Sequence, residues 1–238
     1  MMCTTAATAS SSSLRTPAKL PTTESSFAAL ARQGAMQPLV ATYRILDVKS
    51  APYSFVYATS AGKNALKYFP PPVDYRYRAV ANGEEYEFIA HKGDYYECLR
   101  PASKLHWGCE GPVNMGDMGY GGLATIGSYD VEPDYLGFFT SSPSRVTNRV
   151  VNGFQLACIR VSQRGFPTET WCITSRGVLG YVLGLPGFKR IELTSLSYRV
   201  PKEEYLLPAK PTRWTSFVAA KLCEFGPPGW ANPGSYTC

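Results

Sequence analysis

The sequence lacks the long apolar runs and the basic clusters that mark two large classes of protein. No run reaches the roughly 18 apolar residues of a membrane-spanning helix, and the best candidate, GVLGYVLGLPGF, is broken by glycine and proline. The 24 lysines and arginines exceed the 18 acidic residues, giving a net charge of +6 that suits an anionic partner. Because these basic residues are scattered, no nucleic-acid partner is predicted.

Catalytic signatures are also scarce. The chain has only two histidines to serve as bases, and neither G-x-S-x-G nor HExxH occurs. GYGGLA at 119–124 matches a dinucleotide-binding pattern, but it lacks the strand and helix that the pattern requires. A cluster of acids around this glycine-rich loop is more simply a solvated face than a hydrolase site: Asp117, Asp130, Glu132 and Asp134. No enzyme, cofactor or metal site is therefore predicted.

The residues that are abundant favour strands and turns. Sixteen tyrosines, eleven phenylalanines and four tryptophans accompany 21 glycines and 19 prolines, and flat rings pack well on a pleated sheet. The length suits one sizeable domain. We expect a mainly β (α+β) fold with a disordered Ser/Thr/Ala tether at 1–22, a folded domain at 23–208 and a Pro/Gly-rich extension at 209–238.

Local patterns predict the elements of that domain. TESSFAALARQG predicts a short amphipathic helix with a Thr23 or Ser25 cap and Gly34 at its end. LVATYRI, SFVYAT, YRYRAV and EYEFIA alternate as strands, with a tight hairpin at Asn82-Gly83. Strands resume at FQLACIRVS, TETWCITSR, GVLGYVLG and RIELTSLSYRV, and a slip in the last predicts a β-bulge at Thr194-Ser195.

The seven cysteines suggest three disulfides and one odd thiol. Cys158 and Cys172 are symmetric about the turn at Gly165, and Cys98 and Cys109 show the same arrangement, which predicts two cross-strand bridges. Cys223 and Cys238 would close the tail. Disulfides imply an oxidising compartment, so an extracytoplasmic location is expected.

Two alternatives concern the other cysteine chemistry. His91, Cys98, His106 and Cys109 could hold zinc, although the tight pair usual in structural zinc sites is absent. Cys3, followed by a Ser/Thr/Ala linker, is typical of a bacterial lipoprotein after removal of its signal peptide, although the lipobox is missing. The alternative is an ordinary thiol at a processed or engineered start.

The order of these parts resembles a known family. From about residue 26 to 208, the helix, ATYRI, YRYRAV, EYEFIAHKGDYYEC, WGCEG, VVNGFQLACIRV, TWCITSRGVLGYV and IELTSLSYRVPKEEYLLP are similar to actinobacterial-type envelope lipoproteins of the LolA/LolB-like superfamily, which includes the lipid carriers LppX and LprG. The resemblance implies a single curved antiparallel sheet forming a half-open barrel, with short helices over a concave face that holds acyl chains. Such matches identify fold better than function.

The predicted ligand site follows from this resemblance. An apolar cavity would be lined by Tyr43, Phe55, Tyr57, Tyr75, Tyr77, Tyr86, Phe88, Leu136, Phe138 and Phe139. Residues 116–139 would form a movable lid. We expect a monomer in the cell envelope, anchored to the membrane through a lipid on Cys3, that binds a lipid or other apolar ligand. A ligand-free envelope interaction module is the alternative, because a cavity lining and a packed core use the same residues.

Overall fold

A computed structural model describes residues 19–34, 37–47, 53–59, 75–81, 83–92, 94–112, 145–162, 167–185 and 188–212. Its elements are α1 (Glu24–Gly34), β1 (Leu39–Asp47), β2 (Tyr53–Thr59), β3 (Tyr75–Ala81), β4 (Glu84–His91), β5 (Asp94–Arg100), β6 (Gly108–Glu110), β7 (Thr147–Val151), β8 (Phe154–Val161), β9 (Glu169–Thr174), β10 (Leu179–Leu183), β11 (Phe188–Ser197), a 3-10 helix (Lys202–Tyr205) and β12 (Pro211–Thr212).

The twelve strands form one curved sheet in the order β12-β6-β5-β4-β3-β2-β1-β11-β10-β9-β8-β7. Neighbouring strands are antiparallel except β12 and β6, which are parallel. Most connections are short hairpins, as expected of a meander, and β1 pairs with β11 to join the two halves. The predicted mainly β fold with a curved antiparallel sheet is confirmed.

Helix α1 forms where the sequence predicts it. Thr23 caps its first turn, since the Thr23 Oγ1 accepts a hydrogen bond from the Ser26 amide at 3.2 Å. Phe27 and Ala31, one turn apart, are fully buried against the sheet. The face of the sheet that packs on α1 is the inner face, and the opposite face is the outer face.

Two other local predictions are confirmed. Ala81 pairs with Glu84, as the predicted two-residue hairpin loop requires, and Gly83 has the positive φ of 80° that such a turn needs. In β11, Thr42 pairs with Ser195 whereas Tyr43 pairs with Leu193, so Thr194 is the extra residue of a β-bulge.

The inner face carries the main core and the outer face carries two smaller clusters. The main cluster includes side chains from α1, β1, β4, β5 and β8 to β11. Each outer cluster is built around one cysteine pair, Cys158 with Cys172 and Cys98 with Cys109. Leu207 and Ala209 pack against the second pair, so the sheet and its packing continue to Thr212.

Several predictions fall outside the described residues. They concern Cys3, Cys223, Cys238, the acidic residues at 117–134 and the lid at 116–139. Among the helices that are described, none has the length and apolarity needed to cross a membrane.

Candidate functional site

The candidate site lies on the inner face, on the arm formed by β1 to β6. The strand register aligns Ala41, Tyr57, Tyr77, Phe88, Glu97 and Glu110 in one row across that arm. A neighbouring row contains Tyr43, Phe55, Ala79, Tyr86 and Leu99. Apolar positions thus dominate the inner face, and two carboxyl groups lie at its β5–β6 end.

Six of the ten predicted cavity residues occupy these two rows, and Tyr75 lies in the next row, opposite Thr59 and Ala90. Tyr43, Tyr86 and Phe88 are buried in the main core cluster. The backbone register places 55, 57, 75 and 77 beside them on β2 and β3. Leu136, Phe138 and Phe139 lie outside the described residues. Seven of the ten predicted positions are therefore brought together by strand pairing.

Two of the buried aromatic side chains are held by specific contacts. The Tyr43 hydroxyl donates a hydrogen bond to the Leu179 carbonyl oxygen at 3.1 Å, which links β1 to β10. The Phe88 and Tyr95 rings stack with their centroids 6.0 Å apart and their planes at 17°. These contacts fix the orientation of rings that form the inner surface.

Glu97 is the polar centre of this surface. It is only 2% exposed, and its Oε1 accepts a hydrogen bond from the Tyr86 hydroxyl at 3.0 Å. Its Oε2 has no hydrogen-bond partner in the part of the chain that the structure describes, and the same is true of the Tyr95 hydroxyl. Buried polar atoms without partners are uncommon, because each costs about 1–3 kcal/mol of desolvation.

Burial changes the protonation of this carboxyl group. Desolvation raises the pKa of Glu97 to about 7; the hydrogen bond from Tyr86 opposes this rise, and the charge of Glu110 adds to it. Glu110 is directly opposite on β6 and is also buried. Glu97 can consequently donate or accept a hydrogen bond near neutral pH.

Sequence analysis did not identify Glu97, Glu110 or Tyr95 as site residues. In DYYECLR both alternating sets contain a tyrosine, so composition does not show which set faces inward. The predicted pairing of Cys98 with Cys109 contains the information about which side of β5 faces inward. If Cys98 faces Cys109, then Glu97 must face Glu110 on the other side of the sheet, and two opposed acids are unfavourable unless something offsets them.

Both predicted cross-strand disulfides are present. The Cα atoms are 4.1 Å apart in Cys98–Cys109 and 4.0 Å apart in Cys158–Cys172. Because Cys98 and Cys109 are bonded to each other, they are not thiolate ligands, and the zinc alternative is wrong. No group of three or more metal-ligating side chains comes together among the described residues.

The outer face behind the site is polar and is partly covered by the 3-10 helix. Arg76 and Arg78 contact Glu87, and Arg78 and Arg100 contact Glu85. Arg76 also contacts Glu204 of the 3-10 helix at 3.2 Å, which holds that segment over β3 and β4. Burial raises the pKa of Glu87 despite these arginines. This network supports the site from behind and does not line it.

Comparisons with known proteins identify a fold. No protein-family model matches the chain, and no characterised protein matches it by sequence. A crystal structure of MucB is similar with a TM-score of 0.50 and 13% identity, over 78% of this chain and 63% of that one.

Two complexes are also similar. MucB bound to MucA(peri) has a TM-score of 0.48 and 14% identity, over 81% of this chain and 61% of that one. The MucA/MucB complex of Pseudomonas aeruginosa has a TM-score of 0.46 and 12% identity, over 73% and 56%. The chain spans less than two thirds of each of these structures, and at such identities the likeness extends to the fold alone.

Proposed function

We propose that this protein is an extracytoplasmic binding protein that holds a lipid or other apolar ligand against the inner face of its sheet, without catalysis. The family resemblance to LolA/LolB-like carriers supports this proposal. The observation that carries it is the inner face itself, where two rows of mostly apolar positions cross the arm and one of them ends at the buried pair Glu97 and Glu110. An apolar surface with a few converging polar groups is the usual composition of a small-molecule site.

The proposed binding mechanism uses both parts of this surface. Removing acyl chains from water contributes about 0.8 kcal/mol for each buried methylene group. A hydroxyl or amide of the ligand would hydrogen-bond with the Glu97 carboxyl, whose Oε2 has no partner among the described residues. The Tyr95 hydroxyl, which likewise has no hydrogen-bond partner in the described part of the chain, is a second candidate contact. The apolar rows would then supply affinity, and the polar groups would orient the ligand.

The location of the protein fits such a ligand. Two disulfides are characteristic of proteins that fold in an oxidising compartment outside the cytoplasm. We propose that Cys3 carries the lipid anchor in the precursor, which would keep the protein beside the membrane from which a lipid ligand comes. A monomer suffices for this role.

Phe88→Trp tests the proposal. Phe88 faces Glu97 across the strand pair, so a larger ring there narrows the space for a chain. We expect uptake of an environment-sensitive fluorescent phospholipid to weaken about tenfold, equivalent to about 1.4 kcal/mol. The melting temperature should change little, because the added ring enters space that the ligand would otherwise fill.

The matched control is Ile89→Phe. Ile89 is the next residue of the same strand and is buried on the outer face, so its enlargement should leave lipid uptake unchanged. A packed inner face would give a different result for Phe88→Trp, namely a loss of about 1–3 kcal/mol of stability with unaltered uptake of the phospholipid. That outcome would exclude the proposed lipid-carrier function and favour the ligand-free interaction module.

A further inference from the structure

A second candidate surface lies on the outer face at the opposite arm, formed by β7 to β10. A pocket of about 440 Å³ is lined by Arg145, Thr147, Arg149, Cys158, Arg160, Thr170 and Leu183. Three of these side chains carry a positive charge, and none is acidic. The register explains the grouping, because Arg160, Thr170 and Leu183 are neighbours across β8 to β10 and Thr147 is opposite Cys158.

Arg149 of β7 and Arg145, which precedes the strand, are directed toward this pocket by strand periodicity. Val146 packs against the inner core, so the alternation places Arg145, Thr147 and Arg149 on the outer face. The Arg149 guanidinium lies over the Tyr181 ring, 4.7 Å from its centroid, which holds the charge at the surface. Arg145 and Arg149 are both exposed and positively charged, so an anionic partner would be attracted to this side of the pocket.

The pocket adjoins an edge of the sheet. β7 lies at one edge of the sheet. Among the described residues, β8 pairs with one edge of β7 and no strand pairs with the other. Residues 147–150 are all exposed, including Val150 at 68%. An unpaired strand edge offers a row of backbone donors and acceptors to an incoming extended segment.

We propose that β7 and the adjoining arginine pocket form a docking surface for an extended acidic peptide of a partner protein. The peptide adds as a strand beside β7, and carboxylates at every second residue lie next to Arg145 and Arg149. Main-chain pairing supplies the general affinity, and the alternating carboxylates supply the selectivity. This surface is separate from the inner face, so the inference stands whether or not the protein carries a lipid.

The test uses the full chain and a synthetic peptide of about ten residues with glutamate at alternate positions. Fluorescence anisotropy should show binding that weakens as salt is raised from about 0.05 to about 0.5 M. Arg149→Glu should raise the Kd about tenfold or more, whereas Lys104→Glu, the same charge change at an exposed site on the β5–β6 turn, should leave it unchanged.

A second peptide isolates the strand pairing. The same sequence with N-methylated backbone amides keeps every carboxylate but cannot pair with β7, so it should bind about tenfold more weakly or worse. The unmodified peptide should also slow amide hydrogen exchange in residues 147–151. Any of three results would overturn the proposal. These are equal affinity for the two peptides, an equal loss of affinity with Lys104→Glu, and no binding of the peptide by the full chain.

Discussion

Glu97 is a buried carboxyl group that accepts a hydrogen bond from Tyr86, and its protonation is coupled to folding. Its pKa rises from 4.5 to about 7 on burial. Below about pH 4.5 the group is protonated in the folded and unfolded chains alike. Between about 4.5 and 7 the unfolded chain releases the proton and the folded chain keeps it, so stability falls as pH rises. Above pH 7 the loss is complete.

Glu97→Gln should remove this pH dependence. A rise from 4.5 to about 7 corresponds to a loss of about 3 kcal/mol of unfolding free energy between acidic and alkaline pH. Urea unfolding at pH 5 and pH 8 should therefore show a smaller difference in the variant than in the unchanged protein. Glu192→Gln, which alters a carboxylate paired with Arg190 on β11, should keep the full difference. If Glu97→Gln keeps it as well, the carboxyl is not buried as described.

At the residue scale, the sequence shows apolar positions more clearly than buried polar ones. Strand alternation places Tyr86 and Phe88 on one face of β4, and both side chains are buried. Glu97 was missed because acids are normally exposed, so a carboxyl in a strand suggests the solvent side. Only the pairing of Cys98 with Cys109 fixes which side of β5 faces inward.

At the scale of elements, the end of α1 packs closely against the turn between β9 and β10, where the backbones of Gly34 and Gly177 are in contact. A Cβ atom added at Gly177 would collide with the Leu30 carbonyl, and one at Gly34 would collide with the Gly177 backbone. The turn between β9 and β10 therefore approaches the helix end more closely than any side chain permits. Gly177 also has a positive φ of 81°, which only glycine adopts without strain.

Gly177→Ala should therefore lower the free energy of unfolding by more than the strain of a positive φ accounts for. Gly153, in the β7–β8 turn, supplies the control, since its φ is 83° and nothing lies within 4 Å of an added Cβ. We expect Gly153→Ala to cost about 1 kcal/mol and Gly177→Ala about 3 kcal/mol or more, because the latter also displaces α1. Unfolding in urea measures both values. Equal costs would show that the helix can move aside freely.

The sequence patterns predicted α1, β1 to β4 and β8 to β11, but they predicted neither β7 and β12 nor the docking of α1 on the sheet. The Thr23 cap, the Asn82-Gly83 hairpin and the Thr194 bulge are local, since each depends on residues within a few positions. The contact of Gly34 with Gly177 joins segments far apart in the chain, and no local pattern records it. The pairing of β1 with β11 escaped prediction for the same reason.

At the scale of the whole molecule, each arm of the sheet carries one disulfide on its outer face. Cys98–Cys109 lies behind the candidate ligand site, and Cys158–Cys172 lies beside the arginine pocket. Each proposed surface therefore includes or adjoins a pair of strands that is linked by a disulfide. In the chain-entropy model a loop of about 15 residues contributes roughly 3 kcal/mol to stability.

The proposed anchor predicts where the protein resides. In the natural precursor, Cys3→Ser should move the protein from the membrane to the soluble fraction, because two or three acyl chains exceed the single chain that binds only reversibly. Fractionation followed by immunoblotting measures the shift, with Ser10→Ala in the same segment as the control. Continued sedimentation of the Cys3→Ser protein with membranes would place the anchor elsewhere.

The most direct test of the central claim is native mass spectrometry of the protein purified from its own envelope without lipid exchange. The account predicts a complex heavier than the bare chain by the mass of one lipid or other apolar molecule, which solvent extraction releases and identifies. A folded protein with both disulfides intact and no added mass would contradict the claim, because the inner face would then be a filled core.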